Sequence, residues 1–333
     1  MVMFVGGHLA RVVGLSGLML LMSASSASAA ARFASPSGSG TGCTPAAPCG
    51  IVTAVNSAVD GDDITIEPGT YGSPTPLTTT LEDESKTLAI HGQAGHPRPV
   101  IITHAGIGIE LLGNNSSVSD LDVEDAVGAY GIYVAGAYSS AIDRAVSHVS
   151  SAKAIACYPS GTLTDSVCWS SGESGVAATL LIASSATATL RNDTLIASGS
   201  AGTAVAVHAI LGTTMTINLT NSIARGAGAD IFASTDNEAK STAVVNADHS
   251  NYAAVKTEPG GGGSTISITP AGSATNRGAR PRDTHARCQS LGAGWVRRLC
   301  RLSVSGLGRA GLGRLRRSAS WTRSCRGGRC RSC

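Results

Sequence analysis

From residue 100 onward the chain alternates apolar and polar positions with a period of two, in short runs separated by Gly, Ser, Asn and Asp. That period belongs to a β-strand with one face buried, not to a helix. One set of runs is mostly led by Gly: GIGIELL from Gly106, GIYVAG from Gly131, AIACYP from Ala154, GVAATLL from Gly175 and TAVAVHA from Thr203. Their first large apolar residues, Ile107, Ile132, Ile155, Val176 and Val205, lie 25, 23, 21 and 29 residues apart. A second ladder runs between them: SVSDLDV, AIDRAV, TLTDSV, TLRNDTL and NLTNSI, led by Val118, Ile142, Leu163, Leu190 and Leu219 at spacings of 24, 21, 27 and 29. Two ladders advancing together with a period near 25 predict a solenoid, in which each coil buries its inner face only by stacking on its neighbours. Within GIYVAG the alternation places Ile132 and Val134 inward and Tyr133 outward. Asp165, Asn192 and Asn221 recur at one turn position, where small amides stack and tolerate left-handed backbone.

Upstream, Ile51, Val52, Val55 and Val59 recur at helical spacing and predict a short helix over 50–59, ended by Asp60-Gly61-Asp62. Ile64 and Ile66 then alternate with Thr65 as a strand, and Pro68-Gly69 marks a turn. The unit AVNSAVDGDDITIEPGTYG, Ala54 to Gly72, resembles the N-terminal cap and first coil of right-handed parallel β-helix proteins, the pectin-lyase-like group, in their secreted bacterial form. The repeats from 100 to 225, and VVNADHSNY from Val244, are similar to later coils, so the resemblance covers residues 40 to 270. It implies an all-β fold: a right-handed parallel β-helix of about 7–9 coils behind a short N-terminal capping helix. It implies no single activity, because the group holds lyases, hydrolases, tailspikes and adhesins.

Composition changes the picture at both ends. Residues 1–29 read as a signal peptide, with His8 and Arg11 before the apolar run Val12 to Met22 and Ala27-Ser28-Ala29 as a cleavage site near Ala29. The run is too short to span a bilayer, and no later segment is apolar enough. A secreted or cell-surface protein with no transmembrane segment after cleavage follows as the expectation. Residues 30–48 form an N-terminal segment and 49–270 the β-helix domain, expected to be a monomer. The remainder, 271–333, is a tail rich in Arg, Gly and Cys, expected to be disordered. From Arg277 it holds 15 Arg, no Lys and one acid, Asp283, a net of +14, whereas the first 276 residues hold 10 basic and 21 acidic residues, a net of −11. Three readings of it stand: a cationic binding tail, with Trp295, Leu299 and Leu302 beside Arg297, Arg298 and Arg301; a disulfide-bonded appendage; or an out-of-frame C-terminus. Export permits disulfides, and Cys43, Cys49, Cys157 and Cys168 are the candidates in the body.

Candidate chemistry is sparse. The GHG and RIK-like segments of polygalacturonase-like members are absent, and Asp62-Asp63 fall in the cap turn. SDLDVED is the best local cluster: with Leu121 and Val123 inward, Asp120, Asp122 and Glu124 share an outer face and Asp125 follows. These four are the calcium candidates, since a calcium site needs several converging oxygens; no other cofactor is implied. One coil later Arg144 and His148 enter the same sector, making Asp122, Arg144 and His148 the catalytic candidates. An ion-pair ladder on a solvated face explains the same residues. His208 and His249 stand alone, Glu82-Asp83-Glu84 reads as a solvated loop tip, and Tyr133 near Tyr138 offers a stacking surface for a sugar. The function expected is a non-catalytic binding or scaffolding module for glycans or cell-envelope polymers, with no nucleic-acid partner for the folded domain. The alternative is a polysaccharide lyase or glycoside hydrolase acting on acidic polysaccharide.

Overall fold

The computed structural model describes residues 29–125, 127–134, 139–180, 184–237 and 240–269. Residues 1–28 of the expected signal peptide, the tail from 271 and Tyr138 lie outside them. Within them no helix is long and apolar enough to cross a membrane.

Strands stack into three parallel sheets. Sheet 1 has ten strands, from Ala31–Ala34 to Thr265–Thr269; sheet 2 has seven, from Thr70–Tyr71 to Ile223–Gly226; sheet 3 has eight, from Leu81–Glu82 to Val255–Glu258. The chain visits them in turn. Ser117–Ser119 lies in sheet 1, Asp122–Asp125 in sheet 2 and Tyr130–Val134 in sheet 3, and Ala141–Asp143 returns to sheet 1 one strand further on. This is the all-β parallel β-helix expected, with the capping helix at Ile51–Asn56. Its Ile51, Ala54 and Val55 are buried and close the lumen at the N-terminal end. The strand Ala31–Ala34, in the segment set apart by sequence as 30–48, is the first strand of sheet 1.

The lumen follows the second ladder. Ile64, Ile90, Val118, Ile142, Leu163, Leu190 and Leu219 stand in register along sheet 1 and are all inaccessible to solvent. The first ladder mixes two rows. The buried row of sheet 3 runs Ile109, Ile132, Cys157, Ala178, Val205, Ile231, whereas Ile107, Ile155 and Val176 fall in the outer row with Tyr130 and Thr203. The cause is local. Each of these strands opens with an outward residue followed by two buried ones, such as Tyr130 and then Gly131-Ile132. The second position lies at the tight corner with sheet 2, where a Cβ on Gly131 would sit 2.1 Å from Ser147 Oγ.

The corner between sheets 1 and 2 explains the turn residues. Asp120, Arg144, Asp165, Asn192, Asn221 and His249 all have left-handed backbone, φ 46° to 63°. Asn192 Nδ2 donates to Asp165 Oδ1 at 3.0 Å and Asn221 Nδ2 to Asn192 Oδ1 at 2.7 Å, the outer amide ladder. A second, inner ladder lies one residue on. The Ser166 amide donates to Asp193 Oδ1, the Asp193 amide to Ser222 Oγ, and the Ser222 amide to Ser250 Oγ. These bonds satisfy backbone donors that a one-residue corner leaves without a strand partner.

Candidate functional site

The left-handed corner at Asp120 divides SDLDVED between two sheets, so the acids do not share one face. Asp120 stays at the corner, where Arg144 donates to it from Nε at 2.8 Å and from Nη2 at 2.7 Å and also reaches Asp143. The Asp120 bond is the largest influence holding the Arg144 guanidinium charged. Asp125 points inward and is buried, accepting the Val127 and Gly128 amides at 3.0 and 2.7 Å; burial pushes its carboxyl up despite those bonds. Asp122 and Glu124 remain on the outer face of sheet 2. Among the described residues no three His, Cys, Asp or Glu side chains converge as a metal site. Nor does Arg144 reach Asp122.

Asp122 sits in an apolar row, between Val100 and Val146 in register. Its nearest cation is Arg98, with Nη1 3.9 Å from Oδ1, an oxygen that accepts no hydrogen bond and is buried. Burial raises its carboxyl to about 6; Glu124 adds to the rise and Arg98 opposes it. Burial raises Glu124 as well. His148 is the register partner of Glu124 on one side and Trp169 on the other, and its ring stacks on Trp169 with centroids 4.0 Å apart and planes 16° from parallel. His148 Nε2 lies 3.2 Å from Ser171 Oγ, and Trp169 Nε1 donates to Ser198 Oγ. Arg98 carries no sequence signal, because it lies in the loop before a strand and meets Asp122 only across a coil.

A second surface lies on sheet 3, around the corner from Asp122. One outer row runs Glu82, Glu110, Tyr133, Tyr158. Tyr130, Tyr133 and Tyr158 pack together with ring centroids 4.8 to 5.8 Å apart in tilted and edge-on geometry. Tyr158 is buried beneath the other two, which are half-exposed. Burial raises the Glu110 carboxyl, and Glu82 and Asp83 add to the rise. Sequence singles out Tyr133 but not Glu110, because their alignment becomes visible only once the register is known.

Other candidates resolve into structural roles. Asp62 is buried and takes the Ala30 and Val59 amides and Arg32. Asp83 is not a solvated loop residue: it is buried and accepts the Ser85, Leu112 and Gly113 amides, fastening one coil to the next. His208 bonds Ser234, and His249 sits at the corner beside Asp248. Cys43 joins Cys49, and Cys157 joins Cys168 across the lumen between sheets 3 and 2.

Strand order and register decide the architecture. The fold is a three-sheet parallel β-helix. No protein-family model matches the sequence, and no curated protein matches it. Among solved structures, pectate lyase Pel9A is similar with a TM-score of 0.49 and 11% identity, over 71% of this chain and 78% of that one. A rhamnogalacturonan lyase has a TM-score of 0.38 and 11% identity, over 71% of this chain and 84% of that one. Likenesses of this size assign this β-helix neither an activity nor a substrate.

Proposed function

We propose that this β-helix is an exported module that binds a glycan or cell-envelope polymer along the outer face of sheet 3, without transforming it. The observation that carries this reading is the packed trio Tyr130, Tyr133 and Tyr158 beside Glu110. Half-exposed tyrosine rings over a rigid sheet offer apolar faces to sugar C–H groups with little side-chain entropy to lose. The neighbouring carboxylates accept hydrogen bonds from sugar hydroxyls. Titration calorimetry against a panel of wall polysaccharides tests it: Tyr133→Ala should weaken binding at least about tenfold, or about 1.4 kcal/mol. Unchanged affinity in that variant would sink the reading.

Asp122 supports a second reading, hydrolysis or lysis of acidic polysaccharide. A carboxyl that stays protonated to about 6, two residues along a strand from Glu124, suits general acid catalysis by a carboxyl pair. Incubation with uronans at pH 5 to 8, with and without calcium, separates the readings. Reducing ends or unsaturated products that vanish in Asp122→Asn would establish catalysis.

A further inference from the structure

The two ends of sheet 1 are finished differently. At the N-terminal end the outer edge of Ala31–Ala34 is occupied: the Phe33 amide donates to Cys43 O at 2.7 Å, the Ser35 amide to Cys49 O at 3.0 Å, and the Cys49 amide to Phe33 O at 3.1 Å. The loop that does this is closed by the Cys43–Cys49 disulfide. At the other end the last strand, Thr265–Thr269, pairs with Thr242–Asp248 on one side, and no described strand lies on the other. Its Ile266 and Ile268 continue the lumenal rows of Ala243 and Val245 and are half-buried, while Thr265, Ser267 and Thr269 are exposed. An edge with no partner among the described residues is a template for another strand.

The strand itself says which. TISIT reads the same in both directions. The Thr265 amide is spent on Ser241 O inside the sheet, so by the alternation of a parallel ladder the N–H and C=O groups of Ile266 and Ile268 face the open edge. In an antiparallel pair centred on Ser267, Ile266 of one copy opposes Ile268 of the other, and those are the two residues whose edge-facing groups must exchange bonds. Directly opposed residues share a face, so the isoleucines of both copies extend one lumen and the Thr and Ser side chains stay outside.

We propose that two copies of this chain associate end to end through their Thr265–Thr269 strands, related by a two-fold axis at Ser267. The interface is isologous and closes at two copies, because the opposite end of each sheet is already occupied. The proposal departs from the monomer expected from sequence.

Light scattering coupled to size exclusion tests it on the full chain, with Cys288, Cys300, Cys325, Cys330 and Cys333 changed to Ser so that tail disulfides cannot link copies. The expected mass is twice that of the chain, falling to one copy in Ile268→Pro, which removes an edge-facing N–H and no bond to the neighbouring strand, and staying at two in Ile268→Val. Amide exchange keeps the test open should the proline variant fold poorly. Protection at Ile266 and Ile268 should rise with protein concentration while that of Ile217 and Leu219 does not. A single-copy mass at all concentrations, a dimer indifferent to Ile268→Pro, or concentration-independent exchange at these two amides would each overturn the proposal.

Discussion

Asp122 is a residue the fold holds at a cost. Its neighbours in the row are valines, its cation stands 3.9 Å away, and one carboxylate oxygen has no donor. With the folded-state value raised to about 6 from 3.8, the folded protein binds this proton more tightly than the unfolded chain does. The stabilisation is therefore complete below about pH 4 and is lost as pH rises through about 6. At pH 7 the ionised group costs about 2–3 kcal/mol. Asp122→Asn keeps the shape and removes the charge, so it should raise unfolding free energy by about that amount at pH 7 and by almost nothing at pH 4. Urea melts at the two pH values read the difference directly, and equal effects at both would remove the burial argument. A side chain that destabilises the fold at neutral pH fits a working surface better than a structural one.

At the scale of the element, sheets 2 and 3 face each other across a narrow part of the lumen, where small residues such as Ser147, Ala156 and Ala178 replace Leu and Ile. Cys157 and Cys168 tie the two sheets together there, with Cα atoms 5.8 Å apart and a sequence separation of 11. Closing a loop of that length stabilises by about 3 kcal/mol on chain-entropy grounds. A Cys157→Ala/Cys168→Ala pair should lose at least that much, since alanine also leaves unfilled volume, and thermal denaturation would register it. No change in melting temperature would show that packing alone holds the sheets. The ladder Val118, Ile142, Leu163, Leu190, Leu219 was legible from sequence because one apolar residue per coil repeats against polar neighbours. The sheet 3 ladder was not, because its strands open with an extra buried position that period-two counting assigns to the wrong face. The site suffered for the same kind of reason. A single left-handed residue, Asp120, turned what reads as one acidic strand into a corner, an outer pair and a buried turn acceptor. Arg98 and Glu110 reach their partners only between coils, over sequence distances that carry no local pattern.

A solenoid is close to one-dimensional at the scale of the whole molecule: each coil is stabilised by itself and by the coils on either side. Long-range cooperativity has to pass through every intervening interface, so a lesion at one end should be felt most by the nearest coils. The N-terminal end offers a clean lesion. The Cys43–Cys49 loop supplies the edge bonds to Phe33 and Ser35, and the helix Ile51–Asn56 follows directly and covers the lumen. Opening that disulfide with Cys43→Ser/Cys49→Ser frees the loop and, because both cysteines are buried, loosens packing only at this end of the lumen. Exchange should then accelerate at Ala31–Ala34 and Asp63–Ile66, less at Ala89–Gly92, and not measurably at Thr214–Thr220, since each coil rises about 4.8 Å and the last of these is several coils away. Hydrogen exchange followed by mass spectrometry resolves these segments separately. A uniform acceleration along the chain would mean that the β-helix unfolds as one unit, and that the amide ladders and lumenal stacks couple its coils far more strongly than nearest-neighbour packing requires.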